Sequence, residues 1–209
     1  MNLTTPVIHV VDDDASFLKA ISRLLRTSGF TVKTFGSAAD LLAELIADTH
    51  GCVIADLRMP GVSGLELQEA LIKAGHSIPV IFLTGAGDIP STVRAMRGGA
   101  EDFLSKQAPK KDLLDAVKRA FERDVRQRAE RDHLRDLRAP FETLTPRDRE
   151  VLGHVLRGQL NKQIARDLGI DERSVKRHRT NIMAKLHVES VAELTHLVHA
   201  AGLNETIIK

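Results

Sequence analysis

The sequence predicts a doubly wound parallel α/β sheet followed by a smaller, all-helical domain. Three observations carry this. Up to about residue 122, short apolar runs alternate with amphipathic helical patterns, which is the order of a parallel sheet wrapped by helices. Four of those runs end in a polar group: Val7-Ile8-His9-Val10-Val11 in Asp12-Asp13-Asp14, Cys52-Val53-Ile54-Ala55 in Asp56, Pro79-Val80-Ile81-Phe82-Leu83 in Thr84, and Asp102-Phe103-Leu104-Ser105 in Lys106. From Leu144 onward only helical patterns remain.

The elements follow in order. After Asp14, which reads as a helix cap, Phe17, Ile21, Leu24 and Leu25 fall on one helical face, and Gly29 ends that helix. Phe30 to Phe35 alternates as a strand. Ser37 and Asp40 read as a capping box for a helix carrying Leu41, Leu42, Leu45 and Ile46. Behind Asp56, Met59-Pro60-Gly61 turns the chain into a helix with Leu65, Leu67 and Leu71, ending at Gly75. Gly85-Ala86-Gly87 follows the next strand, and Asp88 is expected to cap a helix with Pro90 in its first turn, ending at Gly98-Gly99. Lys110 to about Arg138 reads as one long helix, broken at Ala139-Pro140. Its stripe of Leu113, Val117, Phe121 and Val125 fits either a last core helix with a solvated extension or a helix that also joins two protomers. Thr145-Pro146 opens a helix ending at Gly158, and Asn161 is expected to cap a short one. Two further helices run from about Glu172 to Lys185 and from about Ser190 to Ala201. The expected domains are residues 1–122, a helical linker over 123–140, and residues 141–209.

Composition narrows the function classes. The chain has 209 residues, a formal net charge of +2, and neither Trp nor Tyr, so a base-stacking platform for single strands is disfavoured. A single cysteine, Cys52, excludes a disulfide framework or thiolate metal site and reads as a small core residue. No apolar stretch approaches the roughly 20 residues of a membrane span, and no signal-peptide pattern opens the chain. A soluble, cytoplasmic protein is expected.

At the carboxyl edge of a parallel sheet, where ligands bind, three carboxylates, a hydroxyl and an ammonium suit a hard cation and phosphate. In the helical region, Ala165, Gly169 and Val175 have the spacing of a helix-turn-helix: a small residue at the crossing, a glycine in the turn, and an apolar residue closing the pair. The second helix of the pair carries Lys176, Arg177 and Arg179 in its N-terminal half, the half that enters a major groove.

Both halves resemble known families. Leu144-Thr145-Pro146-Arg147-Asp148-Arg149-Glu150-Val151-Leu152, Asn161-Lys162-Gln163-Ile164-Ala165, Val175-Lys176-Arg177-His178 and Asn181 to Leu186 resemble the LuxR-type DNA-binding domain. That resemblance implies a four-helix module binding DNA as a dimer. Lys176, Arg177 and Thr180 would face bases, and Asn161, Lys162, Ser174 and His178 would lie near phosphate or support the helix. Arg177 stands where the family usually has an aliphatic residue, and reads as either an added DNA contact or a solvated side chain. Residues 6–122 resemble the receiver domain of two-component response regulators, nearest the FixJ subfamily. The resemblance rests on Val10 to Asp14, Asp56 to Gly61, Ser63-Gly64, Thr84-Gly85, Gly87 to Pro90 and Val93 to Met96. It implies a flavodoxin-like strand order 2-1-3-4-5 and Asp56 as phosphoacceptor from a sensor histidine kinase. Asp12, Asp13, Asp56 and the Arg58 carbonyl would hold Mg²⁺. Thr84 and Lys106 would contact phosphoryl oxygens, and Phe103 would change its burial. The implied output is a homodimer, formed through about residues 89–105, acting on promoter DNA and RNA polymerase.

One departure stands out. Receivers place a proline with a cis peptide bond after the lysine, and here Gln107 follows Lys106. A cis bond before a non-proline residue costs about 2.5–4 kcal/mol, so a trans bond and a reshaped loop are expected. Two rival readings remain: a regulator whose receiver only dimerises, and a phosphatase-like enzyme with Asp56 as nucleophile. The haloacid dehalogenase pattern requires an acid two residues on, where Arg58 stands, so a non-enzymatic protein is expected.

Overall fold

The computed structural model describes residues 5–46, 49–85 and 89–204. The chain divides into two compact units, 1–128 and 129–209.

The first unit holds five strands: β1 (Val7–Val11), β2 (Thr31–Phe35), β3 (Gly51–Ala55), β4 (Val80–Thr84) and β5 (Asp102–Ser105). They form one all-parallel sheet in the order β2-β1-β3-β4-β5, as the sequence resemblance implied. Successive side chains point to opposite faces and both faces are covered, so the central strands are apolar along nearly their whole length, with His9 of β1 a buried polar exception. Ile8, Val10, Ile54, Ile81 and Leu83 pack against α1 (Ala15–Thr27) and the first turns of α5 (Lys110–Glu142), which contribute Ile21, Leu25, Leu113 and Val117. Val11, Val53, Ala55 and Phe82 pack on the other face with α2 (Ala38–Glu44), α3 (Gly64–Lys73) and α4 (Ile89–Arg97), which supply Leu41, Leu67, Leu71 and Ala95. Cys52 is fully buried, and burial pushes its thiol pKa up.

Three local expectations are corrected. The second helix stops at Glu44: Leu45 is extended at φ −72°, ψ 127°, and Ile46 is 70% exposed instead of joining the core. The Thr49 hydroxyl accepts from the Ile46 N–H and donates to the Ile46 carbonyl, offering this backbone an alternative to the helix. Pro140 does not break the long helix. Phe141 and Leu144, both buried in the second unit's core, hold the last turn through Glu142, so packing outweighs the cost of the missing N–H. Asn161 is the first helical residue and not a cap: Leu160 occupies the cap position, and its N–H donates to Gln163 Oε1. The expected cap at Asp88 lies outside the described residues.

The second unit packs α6 (Pro146–Leu156), α7 (Asn161–Leu168), α8 (Glu172–Lys185) and α9 (Val191–Ala200) around Val151, Leu152, Ile164, Val175, Ile182, Leu194 and Val198. Gly169 turns α7 into α8 at φ +64°, a conformation that glycine adopts without a Cβ penalty, and Ala165 and Val175 are buried beside it. Among the described residues no helix is long and apolar enough to cross a membrane.

Candidate functional site

Strand register builds the acidic pocket. Val11 pairs with Ala55, Ala55 with Phe82, and Thr84 with Ser105, so the residues at and just beyond these positions meet at one sheet edge. The bonds continue past the strands. Asp56 N–H donates to the Val11 carbonyl at 2.9 Å, Asp12 N–H to the Phe35 carbonyl at 3.2 Å, and Lys106 N–H to the Thr84 carbonyl at 2.9 Å. Asp12, Asp13 and Asp56 offer carboxylate oxygens that all lie within 4.8 Å of one another. Asp12 and Asp56 are buried, whereas Asp13 is exposed. Gly64 lies directly beneath: a Cβ there would fall 2.3 Å from the Asp56 backbone oxygen. Ser63 caps α3 beside it, with Glu66 closing a reciprocal capping box that sequence reading missed, although Ser63 and Glu66 have its spacing.

Lys106 enters this pocket from the end of β5. Its Nζ lies 2.6 Å from Asp12 Oδ2 and 3.0 Å from Asp56 Oδ2. Burial works against the ammonium, but the two carboxylates outweigh it and raise the Lys106 pKa. Burial dominates at Asp12, raising its pKa despite the Lys106 contact. The described residues contain no cis peptide bond, so 106–107 is trans as expected. The following loop turns on Ser105, whose hydroxyl accepts the Gln107 N–H and whose carbonyl accepts the Ala108 N–H. Phe103 is half-buried against Phe82, ring centroids 6.0 Å apart. Asp14 caps α1, accepting from the Ser16 and Phe17 amides.

The second unit presents its basic residues unequally. Lys176, Arg177 and Thr180 are exposed on α8. Neither Lys176 nor Arg177 has a side-chain hydrogen bond or ion pair among the described residues. Lys162 is also exposed. The other residues named from the sequence are committed internally: Arg179 Nη1 donates to Asn161 Oδ1 at 3.1 Å, Ser174 Oγ to Asp171 Oδ2 at 2.7 Å, and His178 Nδ1 lies 2.8 Å from Asp148 Oδ1. Asp148 was not singled out from the sequence as a functional residue. It is 2% exposed, yet it also accepts from Lys185 Nζ at 3.0 Å and the Thr145 amide at 3.2 Å, tying α6 to two turns of α8.

Comparison with known proteins agrees with both halves. Residues 8–118 match the response regulator receiver domain, and residues 142–198 match the luxR family of bacterial regulatory proteins. The chain is a response regulator of the FixJ/NarL family. This regulator is 42% identical to nodulation protein W of Bradyrhizobium diazoefficiens over 201 residues, 96% of this chain and 88% of that protein. It is 40% identical to the transcriptional regulatory protein FixJ of Rhizobium meliloti over 200 residues, 96% and 98% of the two chains. Among solved structures, the response regulator StyR matches at 46% identity and TM-score 0.76, covering 94% of this chain and 99% of that one. A receiver joined to a LuxR-type helix-turn-helix makes the protein a transcriptional response regulator.

Proposed function

We propose that Asp56 accepts a phosphoryl group from a sensor histidine kinase and that this event controls promoter binding through α8. The observation that carries the proposal is the Lys106 ammonium, held between Asp12 and Asp56 in a pocket of three carboxylates. One Asp56 oxygen bonds to phosphorus as the P–N bond of the kinase phosphohistidine breaks. The imidazole leaves with the electron pair and takes up a proton, and Asp56 becomes an acyl phosphate. Lys106 and Thr84 bind the phosphoryl oxygens, where the protein's work is positioning and charge stabilisation.

The donor set suits Mg²⁺: hard carboxylate oxygens close enough to repel each other, with Asp12 paying a desolvation penalty that a cation offsets. Asp12, Asp13, Asp56 and the Arg58 backbone carbonyl would hold it. When bound, Mg²⁺ supplies positive charge against the phosphoryl oxygens.

The output reading follows from exposure. Ile89, Val93 and Met96 of α4 are exposed apolar residues spaced along one helical face, which supports phosphorylation-dependent homodimerisation there. Two helix-turn-helix modules then engage promoter DNA. Lys176, Arg177 and Thr180 meet base edges, Lys162 lies near phosphate, and Arg179, His178, Ser174 and Asn161 brace α8. The protein works in the cytoplasm, is not an enzyme, and acts on RNA polymerase at the promoter.

The test combines acetyl phosphate with Mg²⁺ and follows intact mass and oligomeric state. Wild type is expected to gain one phosphoryl group and dimerise, and Asp56→Asn to do neither. An Asp56→Asn variant that still gains phosphate and dimerises would overturn the assignment. Equal DNA affinity with and without phosphodonor would instead favour a receiver that serves only as a dimerisation module. The position of Lys106 supports the phosphorylated switch over that alternative, because Gln107 has not removed the lysine from the pocket.

A further inference from the structure

We propose that Phe17 is a positioning residue for Lys106. The Lys106 Nζ sits 4.4 Å from the centroid of the Phe17 ring, on the aromatic face that attracts a cation. Phe17 is itself fixed. It occupies the first turn of α1, its amide donates to the Asp14 carboxylate at 3.1 Å, and its side chain packs against the core shared by α1 and α5.

The contacts close a circuit. Asp12 Oδ1 accepts the Asp14 amide at 2.9 Å, Asp14 Oδ1 accepts the Phe17 amide, the Phe17 ring carries Lys106, and Lys106 returns to Asp12 Oδ2 at 2.6 Å. A metal-site carboxylate, a helix cap, an aromatic ring and the lysine thus set one another's positions. The lysine needs such a support. Its four-carbon stem has many rotamers, and Gln107 leaves the backbone beyond it without the fixed φ that a proline imposes. Phe17 limits where the ammonium can go while leaving its three N–H groups for oxygen acceptors.

This inference rests on the phosphoacceptor reading, because its kinetic consequence is felt at Asp56. In the probe reaction an Asp56 oxygen bonds to the phosphorus of acetyl phosphate, the P–O bond to acetate breaks, and acetate leaves with the electron pair. Phe17→Leu keeps an apolar side chain but removes the ring. It is expected to slow this transfer by about threefold to thirtyfold, the range of a partly to fully desolvated cation–π contact. Phe17→Tyr keeps the ring and should stay near the wild-type rate. Mg²⁺ affinity by calorimetry should be unchanged or tighter in Phe17→Leu, since a looser Lys106 competes less for Asp12, whereas a general collapse of the pocket would weaken it. In a Lys106→Gln background, Phe17→Leu should have no further effect on the rate.

A contact readout independent of phosphorylation completes the test. The Lys106 ε-methylene protons should show a ring-current shift by NMR, assigned through Lys106→Gln, present in wild type and Phe17→Tyr and lost in Phe17→Leu. Absence of that shift in wild type would overturn the proposal even if Asp56 is phosphorylated normally. A Phe17→Leu rate equal to wild type, or a loss that persists undiminished without Lys106, would overturn it as well. A wild-type protein that shows the ring-current shift but takes up no phosphate would defeat the phosphoacceptor reading and leave the positioning contact standing.

Discussion

Asp148 shows what one buried carboxylate can do in a small helical unit. Burial works to raise its pKa, but hydrogen bonds from His178, Lys185 and Thr145 outweigh burial and hold it well below the usual carboxylate range. A depressed folded pKa means the contribution is complete above the ordinary carboxylate pKa of about 4, and is lost as pH falls through the lower folded value. Asp148→Asn is therefore expected to cost about 1–3 kcal/mol at pH 7, since it strips the charge from a buried acceptor with three donors. Native-state hydrogen exchange of the slowest α6 and α8 amides measures this, and the difference from wild type should shrink below about pH 4. Residues of this kind were hard to read in advance. His178 and Lys185 lie 30 and 37 positions from Asp148, and no local pattern links them. Asp56 was legible, because an acid ending a wholly apolar run has few other uses.

At the scale of elements, the strands were the easiest to read. Burial on both faces favours near-continuous apolar runs, and Val7–Val11, broken only by His9, Gly51–Ala55 and Val80–Thr84 lie on the runs that the sequence shows. Helix ends were less legible, because they depend on which neighbour satisfies the last amides and carbonyls. Ile46 has helical spacing but lies beyond the helix, where the Thr49 hydroxyl takes its amide. Pro140 predicts a break, yet the core holds Phe141 one residue later. Pro140→Ala should restore an amide donor to the last turn of α5 and remove the ring's conflict with the preceding turn. Proline's entropic benefit in the unfolded chain offsets part of the gain, leaving about 1 kcal/mol of net stabilisation. Urea unfolding followed by circular dichroism is the check: the midpoint should rise with the slope unchanged.

At the scale of the whole molecule, the functional question is how one phosphoryl group reaches DNA. Under the dimerisation proposed above, the route runs through the exposed face of α4, where Ile89 is 80% exposed and Val93 and Met96 are exposed on the same helix. A charge placed on this face would have to be desolvated in a dimer but stays hydrated in the monomer. Val93→Glu is expected to take up phosphate from acetyl phosphate at the wild-type rate, yet remain monomeric by light scattering. Its promoter affinity in the presence of phosphodonor should fall at least about tenfold, because linked modules lose their effective concentration. A phosphorylated Val93→Glu that dimerises normally would place the interface elsewhere.

The sequence by itself determined the two-part organisation, the parallel sheet, the acidic sheet edge and the basic face of the helix-turn-helix. Each depends on periodicity or on residues adjacent along the chain, and such patterns survive without coordinates. Tertiary structure decided what holds the polar groups in place. Parallel register set Asp12 against Asp56, packing carried α5 through Pro140, and Asp148 bound α6 to α8. It also decided the fate of Lys106. Gln107 predicted a reshaped loop, and only the packing of α1 beside α5 on one face of the sheet could place the Phe17 ring where the lysine needs it. Contacts between residues distant in sequence depend on the geometry of the assembled sheet and helices, which no stretch of chain specifies alone.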